Sequence, residues 1–180
     1  MDSNVTDKLK EVQEWLVKEY ASIRTGQASP LLLDSIKVES YGSYMPINQV
    51  GSVGIEDART LRISVWDKAA VSAIEKAIRD ANLGVSTVAD SSGVRVIFPE
   101  LTSERRAQLM KLAKAKLEDA RISVRSVRDD VMKHIDKQLK DGEIGEDDKF
   151  TAKEKVQGQV DASNRALEAL FTQKEAELQK

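Results

Sequence analysis

Apolar residues recur at helical spacing in three stretches of the chain. The steps between them are three or four residues, which places each set on one face of a helix. The first helix is predicted to end at Gly26, since glycine favours a C-terminal cap and Pro30 disfavours helix before it. Thr102 is a suitable N-cap for the second. The three sets are Val5, Leu9, Val12, Leu16, Tyr20 and Ile23; Leu109, Ala113, Leu117, Ala120, Val124, Val127, Val131 and Ile135; and Val156, Val160, Ser163, Leu167, Leu170 and Leu178.

Between the first and second predicted helices, the helical spacing of apolar residues gives way to a strand-like pattern. Apolar and polar residues alternate at 36–38, 61–65 and 94–98, which predicts strands. A short helix from Lys68 to about Asn82 is predicted among them, with Asp67 as its cap. Gly51 and Gly54 are predicted to serve turns in a loop.

This change of rhythm predicts an α+β fold with two domains. Residues 1–29 and 102–180 are predicted to form a three-helix bundle, and residues 30–101 a small β/α domain inserted into it. The break near Gly142 is short, so the second and third helices are expected to run antiparallel.

Charge is concentrated on the second helix. Residues 105–140 contain eleven basic and five acidic residues, a balance of +6 in a chain whose net charge is −2. When Leu117 and Val124 are placed in the apolar seam, several basic residues of this helix fall along one flank of the seam. Arg106 lies on about the same flank. Such a row suits a polyanion, because guanidinium groups donate paired hydrogen bonds to phosphate. The other members of the row are Lys114, Arg121, Arg125 and Arg128.

A structural interpretation of the same row stays open at this point. Most charge runs are solvated faces, so these side chains would pair with Asp129, Asp130 or the acidic third helix. Only eight aromatic residues occur in the chain, which disfavours stacking on single-stranded nucleic acid. Recognition of the backbone of folded RNA is compatible with the pattern.

Other chemistry is sparse. The chain has no cysteine and one histidine, His134, which is predicted to be partly buried near the seam. Trp15 and Trp66 are expected to be packing residues. We find no nucleophile–base set, no phosphate loop and no metal-ligand spacing, so we expect a protein without enzymatic activity, cofactor, metal or small-molecule substrate. The absence of a long apolar run or a leader pattern predicts a cytoplasmic protein without a membrane segment.

Several short motifs, in order along nearly the whole chain, resemble the bacterial ribosome recycling factor family. Two positions depart from the family pattern: Gln27 and Asp129 stand where arginine is usual. The matching motifs are IRTGQASP at 23–30, LLD at 32–34, YG at 41–42, DARTL at 57–61, EKAI at 75–78, LG at 83–84, LTSERR at 101–106 and ARISVRSVRDD at 120–130.

The resemblance implies an L-shaped monomer that binds the ribosome. In this family the bundle binds RNA of the large subunit, and elongation factor G, using GTP, then pushes the small domain so that the post-termination ribosome splits and releases mRNA and tRNA. The family's RNA contacts correspond to Arg106, Arg125 and Arg128, with Arg24 and Gly26 as weaker candidates. The hinges correspond to Ser29, Pro30, Leu31 and Leu32 and to Pro99, Glu100, Leu101 and Thr102.

An alternative function remains open on the sequence. A coiled-coil adaptor that recruits a partner helix through its apolar seam would have the same periodicity. Its binding would depend little on salt, whereas binding to RNA would weaken steeply with salt.

Overall fold

The fold is mixed helix and sheet, which confirms the predicted α+β class. The computed structural model describes the backbone of residues 2–180 and the side chains of residues 4–180. Its elements, in chain order, are α1 (Asp2–Ala21), a 3₁₀ helix (Pro30–Leu33), β1 (Lys37–Ser40), β2 (Ser43–Pro46), α2 (Ile47–Val50), β3 (Gly51–Asp57), β4 (Thr60–Val65), a 3₁₀ turn (Lys68–Ala70), α3 (Val71–Asp80), β5 (Ser86–Ala89), β6 (Gly93–Ile97), α4 (Ser103–Lys140) and α5 (Glu146–Gln179).

The chain divides into two compact units. The helical unit contains the chain up to Tyr20 together with Met110–Ala176, and the mixed unit contains Ala21–Leu109 together with Glu177–Lys180. The domain limits predicted from the sequence, 29/30 and 101/102, both fall inside the mixed unit. As limits of moving domains they stay a prediction.

The helical unit packs most of the three long helices around one apolar seam. The Tyr20 hydroxyl donates a hydrogen bond of 2.9 Å to the Ala113 carbonyl oxygen, which ties α1 to α4. Asp136 of α4 pairs with Lys153 of α5 at 2.7 Å. Most of the predicted seam residues are buried, as expected from their period: Val5, Leu9, Leu16, Tyr20, Ala113, Leu117, Ala120, Val124, Ile135, Val156, Val160, Ser163 and Leu167.

Two details of the helical prediction need correction, and a third is confirmed. Helix α1 ends at Ala21, not at Gly26, because the following segment belongs to the mixed unit, where Ile23 is buried. Val12, Val127, Val131 and Leu170 are only half-buried. The cap at Thr102 is confirmed, since its hydroxyl oxygen accepts the Arg105 N–H at 3.1 Å.

The mixed unit contains a four-stranded antiparallel sheet in the order β3-β4-β6-β5, and a separate β1–β2 hairpin. Tyr41 and Gly42 turn the hairpin with φ of 51° and 78°, values that suit glycine and that tyrosine rarely adopts. Helix α3 follows Asp67, whose carboxylate accepts the Ala69 N–H at 3.0 Å, so the predicted cap is confirmed. The core of this unit includes Leu32, Leu33, Val38, Ile47, Leu61, Ile63, Ile74, Ile78, Val94, Val96 and Phe98.

The assignment of Gly51 and Gly54 to a loop is wrong, because both lie in strand β3. The strand escaped prediction because its two glycines break the alternation and Ile55 is 65% exposed. Strands at or near all three predicted alternations, 36–38, 61–65 and 94–98, are present as β1, β4 and β6.

Alkaline pH is expected to weaken the contact between α1 and α4. Burial, followed by the charge of Glu168, raises the pKa of Tyr20 to about 12 from 10.0. In the unfolded chain the tyrosine releases its proton near its ordinary pKa. The stability contributed by the buried, protonated Tyr20 is therefore complete below pH 10 and is lost as the pH rises towards 12. Between pH 10 and pH 12 the free energy of unfolding in urea should therefore decline less for Tyr20→Phe than for the wild type. Tyr44→Phe, at an exposed tyrosine, is the control; equal pH profiles for wild type and Tyr20→Phe would contradict the assignment.

Candidate RNA-binding surface

Four basic residues predicted to bind RNA lie on α4 in the helical unit: Lys114, Arg121, Arg125 and Arg128. Their spacing of three, four or seven residues keeps them on one flank of the helix. Lys114 and Arg125 are exposed, and neither has a hydrogen-bond or ion-pair partner among the residues that the structure describes. Both charges are therefore available to a ligand.

The other two charges are already paired. Arg121 contacts Glu118, at 2.6 Å, and Glu168 of α5. The hydrogen bond that Arg121 donates to Glu118, together with the charge of Glu168, raises the pKa of Arg121 above its ordinary value. Arg128 donates to its neighbour Asp129 at 2.9 Å. The structural interpretation is thus correct for Arg121 and Arg128, although exposed ion pairs of this kind contribute at most about 1 kcal/mol each.

The two other predicted arginines, Arg24 and Arg106, belong to the mixed unit and are half-buried. Arg106 donates to the Gln179 carbonyl oxygen at 3.1 Å. It lines an open cavity of about 330 Å³ with Arg59, Glu100 and other residues of this unit. Arg24 donates to the Pro99 carbonyl oxygen. Each guanidinium therefore already donates a hydrogen bond to a backbone carbonyl oxygen of the protein.

Gly26, the remaining predicted contact, is half-buried in the segment that follows α1. A Cβ added there would meet nothing within 4 Å, so the described surroundings do not require glycine.

The predicted hinge residues have unequal surroundings. Pro30, Leu31 and Leu32 form most of a 3₁₀ helix, in which Leu32 is buried in the core and Leu31 is 60% exposed. Leu101 is buried, whereas Ser29 is half-buried and Pro99, Glu100 and Thr102 are exposed. Their role as hinges stays a prediction.

Three single residues differ from expectation. His134 is exposed, not partly buried, because it lies beside α1 at an open groove of about 230 Å³ instead of in the seam. Trp66 is 70% exposed, so it is not a core residue. Trp15 is 36% exposed, with the Lys116 ammonium 5.7 Å from the centroid of its ring. The structural interpretation expected partners on the third helix, and Glu168 is one of them, but the sequence did not identify this residue because the contact joins residues 47 apart.

Metal binding and membrane insertion find no support in the described part of the chain. No group of three acidic or histidine side chains there is arranged to hold a metal ion. None of the described helices has the length and apolar character needed to cross a bilayer.

The family described as ribosome recycling factor matches residues 16–178. The ribosome-recycling factor of Chlorobium phaeobacteroides strain BS1 is 45% identical over 171 residues, covering 95% of this chain and 92% of that protein. The chain belongs to the ribosome recycling factor family. The ribosome-recycling factor of Rhodospirillum centenum is also 45% identical, over 165 residues that cover 92% of this chain and 89% of that protein.

Solved structures of ribosome recycling factors have the same fold. A solution structure of a ribosome recycling factor superimposes with a TM-score of 0.79 and 37% identity, covering 98% of this chain and 94% of that one. The T. thermophilus ribosome recycling factor, described with E. coli elongation factor G as bound to the E. coli post-termination complex, gives a TM-score of 0.66 and 33% identity. That match covers 98% of this chain and 95% of the other.

Proposed function

We propose that this member of the ribosome recycling factor family binds the post-termination ribosome and, with elongation factor G and GTP, splits it into subunits. The observation that carries the proposal is the exposed guanidinium of Arg125, which has no partner among the described residues and lies beside Arg128 on a long helix of a family member. The factor itself catalyses no reaction: its contribution is binding and displacement in the cytoplasm, and GTP hydrolysis belongs to the elongation factor.

Binding to large-subunit RNA proceeds through charge on the α4 flank. Arg125 and Lys114 are free to meet phosphates, and Arg128 exchanges its exposed pair with Asp129 for a phosphate oxygen. A guanidinium bound to phosphate gains paired, charge-assisted hydrogen bonds, which are stronger than an exposed ion pair. Each contact releases counterions, so affinity falls as salt rises.

Displacement of the subunits requires a second, mobile part. We propose that the domain formed by residues 30–101 turns against the bundle of residues 1–29 and 102–180, with its hinges at 29–32 and 99–102. A few backbone dihedral angles in short connections are enough for such a rotation. The factor acts as a monomer, because one bundle supplies the whole basic flank.

The alternative of a coiled-coil adaptor has less support. An adaptor needs an open apolar seam, but Leu117, Val124 and Val160 are buried where the three helices of the helical unit pack together. A partner helix would have to displace α1 or α5.

Subunit splitting is the test of this function. Post-termination ribosomes are followed by light scattering with the chain alone, with elongation factor G and GTP alone, and with all three. We expect rapid loss of scattering only when all are present. An equal rate without the chain would contradict the proposal.

Asp129 is expected to reduce affinity, because its carboxylate holds Arg128 at 2.9 Å and repels phosphate. Asp129→Asn should raise affinity for large subunits about 1.5-fold to fivefold, the range of one exposed charge interaction. Filter binding at constant salt measures it. Asp119→Asn, at an exposed acid of α4 on another flank, is the control and should change little. Weaker binding by Asp129→Asn would contradict the expectation.

A further inference from the structure

Arg24 joins the two segments that connect the mixed unit's sheet to the rest of the chain. It lies in the segment after α1, and its guanidinium donates to the carbonyl oxygen of Pro99, 75 residues away. The guanidinium carbon also lies 5.7 Å from the centroid of the Phe98 ring, which is fully buried. One side chain therefore joins the entry segment, residues 22–29, to the start of the exit segment, residues 98–102.

The surroundings of Arg24 are those of a packed group. Its Nε is buried without a hydrogen-bond partner among the described residues. Burial, followed by the charge of Arg105, lowers the pKa of Arg24 below its ordinary value. A side chain that serves phosphates is expected to be exposed and solvated, as Arg125 is.

Few hydrogen bonds hold the entry segment in place. Two open cavities, of about 330 and 440 Å³, flank residues 25–29 and share Gln27 in their linings. The Ala28 N–H donates to the Ala58 carbonyl oxygen at 2.8 Å, and this is the one backbone hydrogen bond found between residues 25–29 and the sheet in the described chain. Ala28 packs against the core of the unit, and Arg24 adds a side-chain anchor between this segment and Pro99.

The exit segment is held at the same place. The Phe98 N–H donates to the Arg59 carbonyl oxygen at 2.7 Å, and the Arg59 guanidinium pairs with Glu100 at 3.0 Å. The turn between β3 and β4 therefore holds both segments through Ala58 and Arg59. Arg24 adds the direct bond between the two segments themselves.

We propose that Arg24 is a positioning residue that clamps the entry and exit segments together, so that they move as one with the sheet, and that it is not a contact to RNA. The inference rests on the proposed function, because a force applied to the small domain then reaches both connections at once. Arginine is needed because its planar fork can bond Pro99 while its face covers Phe98.

The test compares the full chain with Arg24→Ala, Arg24→Lys and Arg79→Ala, the last removing an exposed arginine from α3 of the same unit. Large-subunit affinity, its salt slope and the maximal rate of splitting with elongation factor G and GTP are measured for each. We expect both Arg24 variants to bind within about twofold of wild type while their maximal splitting rate falls about tenfold, the loss expected for one charge-assisted hydrogen bond. Arg79→Ala should match wild type.

Amide hydrogen exchange tests the clamp without ribosomes. Residues 25–29 and 98–102 should exchange at least about tenfold faster in Arg24→Ala, while the amides of β4 and β6 keep their protection. If exchange is faster in Arg24→Ala but the wild-type chain does not split ribosomes, the proposed function is wrong and the clamp is still supported. Two results would overturn the clamp: unchanged exchange in these segments, or a tenfold loss of affinity with a shallower salt slope, which identifies a phosphate contact. If Arg24→Ala fails to fold, Arg24→Lys carries the same comparisons.

Discussion

Replacing Arg125 and Arg128 together by alanine is expected to reduce affinity for the large ribosomal subunit about a hundredfold. Each guanidinium loses a charge-assisted hydrogen bond worth about 1.5 kcal/mol, and two such losses multiply to this factor. Arg125 is exposed without a partner in the described chain, so its replacement leaves no buried group unsatisfied. The bundle should keep its thermal stability, which separates loss of binding from loss of fold.

A matched control removes two positive charges from another side of the same helix. Lys133 and Lys137 are exposed on α4, and Lys137 projects opposite to Arg128 because nine residues make two and a half turns. Lys133→Ala with Lys137→Ala should lower affinity less than about fivefold, through the general loss of charge. Equal losses for the two double variants would show that net charge, and not the arginine flank, controls binding.

Phe98→Ala is expected to destabilise the mixed unit by about 3–5 kcal/mol, the usual cost of removing a buried aromatic side chain. Phe98 is fully buried in the core formed with Leu61 and Val94, and its ring also lies beneath Arg24. Native-state hydrogen exchange of the amides in β4 and β6 measures the change, because these strands form the centre of the sheet.

Phe150→Ala is the matched control for the same substitution at an exposed site. Phe150 is 70% exposed on α5, so its loss should cost no more than about 0.5 kcal/mol. A cost below about 1 kcal/mol for Phe98→Ala would mean that the core collapses around the missing ring, contrary to the packing described.

The long helices were predictable because their information is local and repeated. Apolar residues at steps of three and four continue over many turns of α4 and α5, and the caps at Thr102 and Asp67 are short-range signals. Strand β3 was missed because Gly51 and Gly54 carry no side chain to show alternation. The end of α1 was misplaced because tertiary contacts hold Ile23 and Arg24 in the mixed unit.

The row of basic residues in the candidate site was predictable from the sequence. Which of these charges are unpaired and available to a ligand was not. Helical spacing locates Lys114, Arg125 and Arg128 on one flank, whereas only the fold reveals which carboxylates reach them. Glu168 of α5 pairs with Arg121 of α4, and no local sequence pattern predicts an ion pair between two helices. Arg24 shows the same limit, since its partners Phe98 and Pro99 lie more than seventy residues away in sequence.

The salt dependence of binding to isolated large subunits tests the central claim most directly. For the wild-type chain, the logarithm of affinity should fall linearly with the logarithm of salt concentration, and the Arg125→Ala, Arg128→Ala double variant should lose about one to two units of that slope. The Lys133→Ala, Lys137→Ala variant should lose less of the slope than the arginine variant. A wild-type affinity that does not respond to salt, or an unchanged slope in the arginine variant, would contradict recognition of RNA by the arginines of α4.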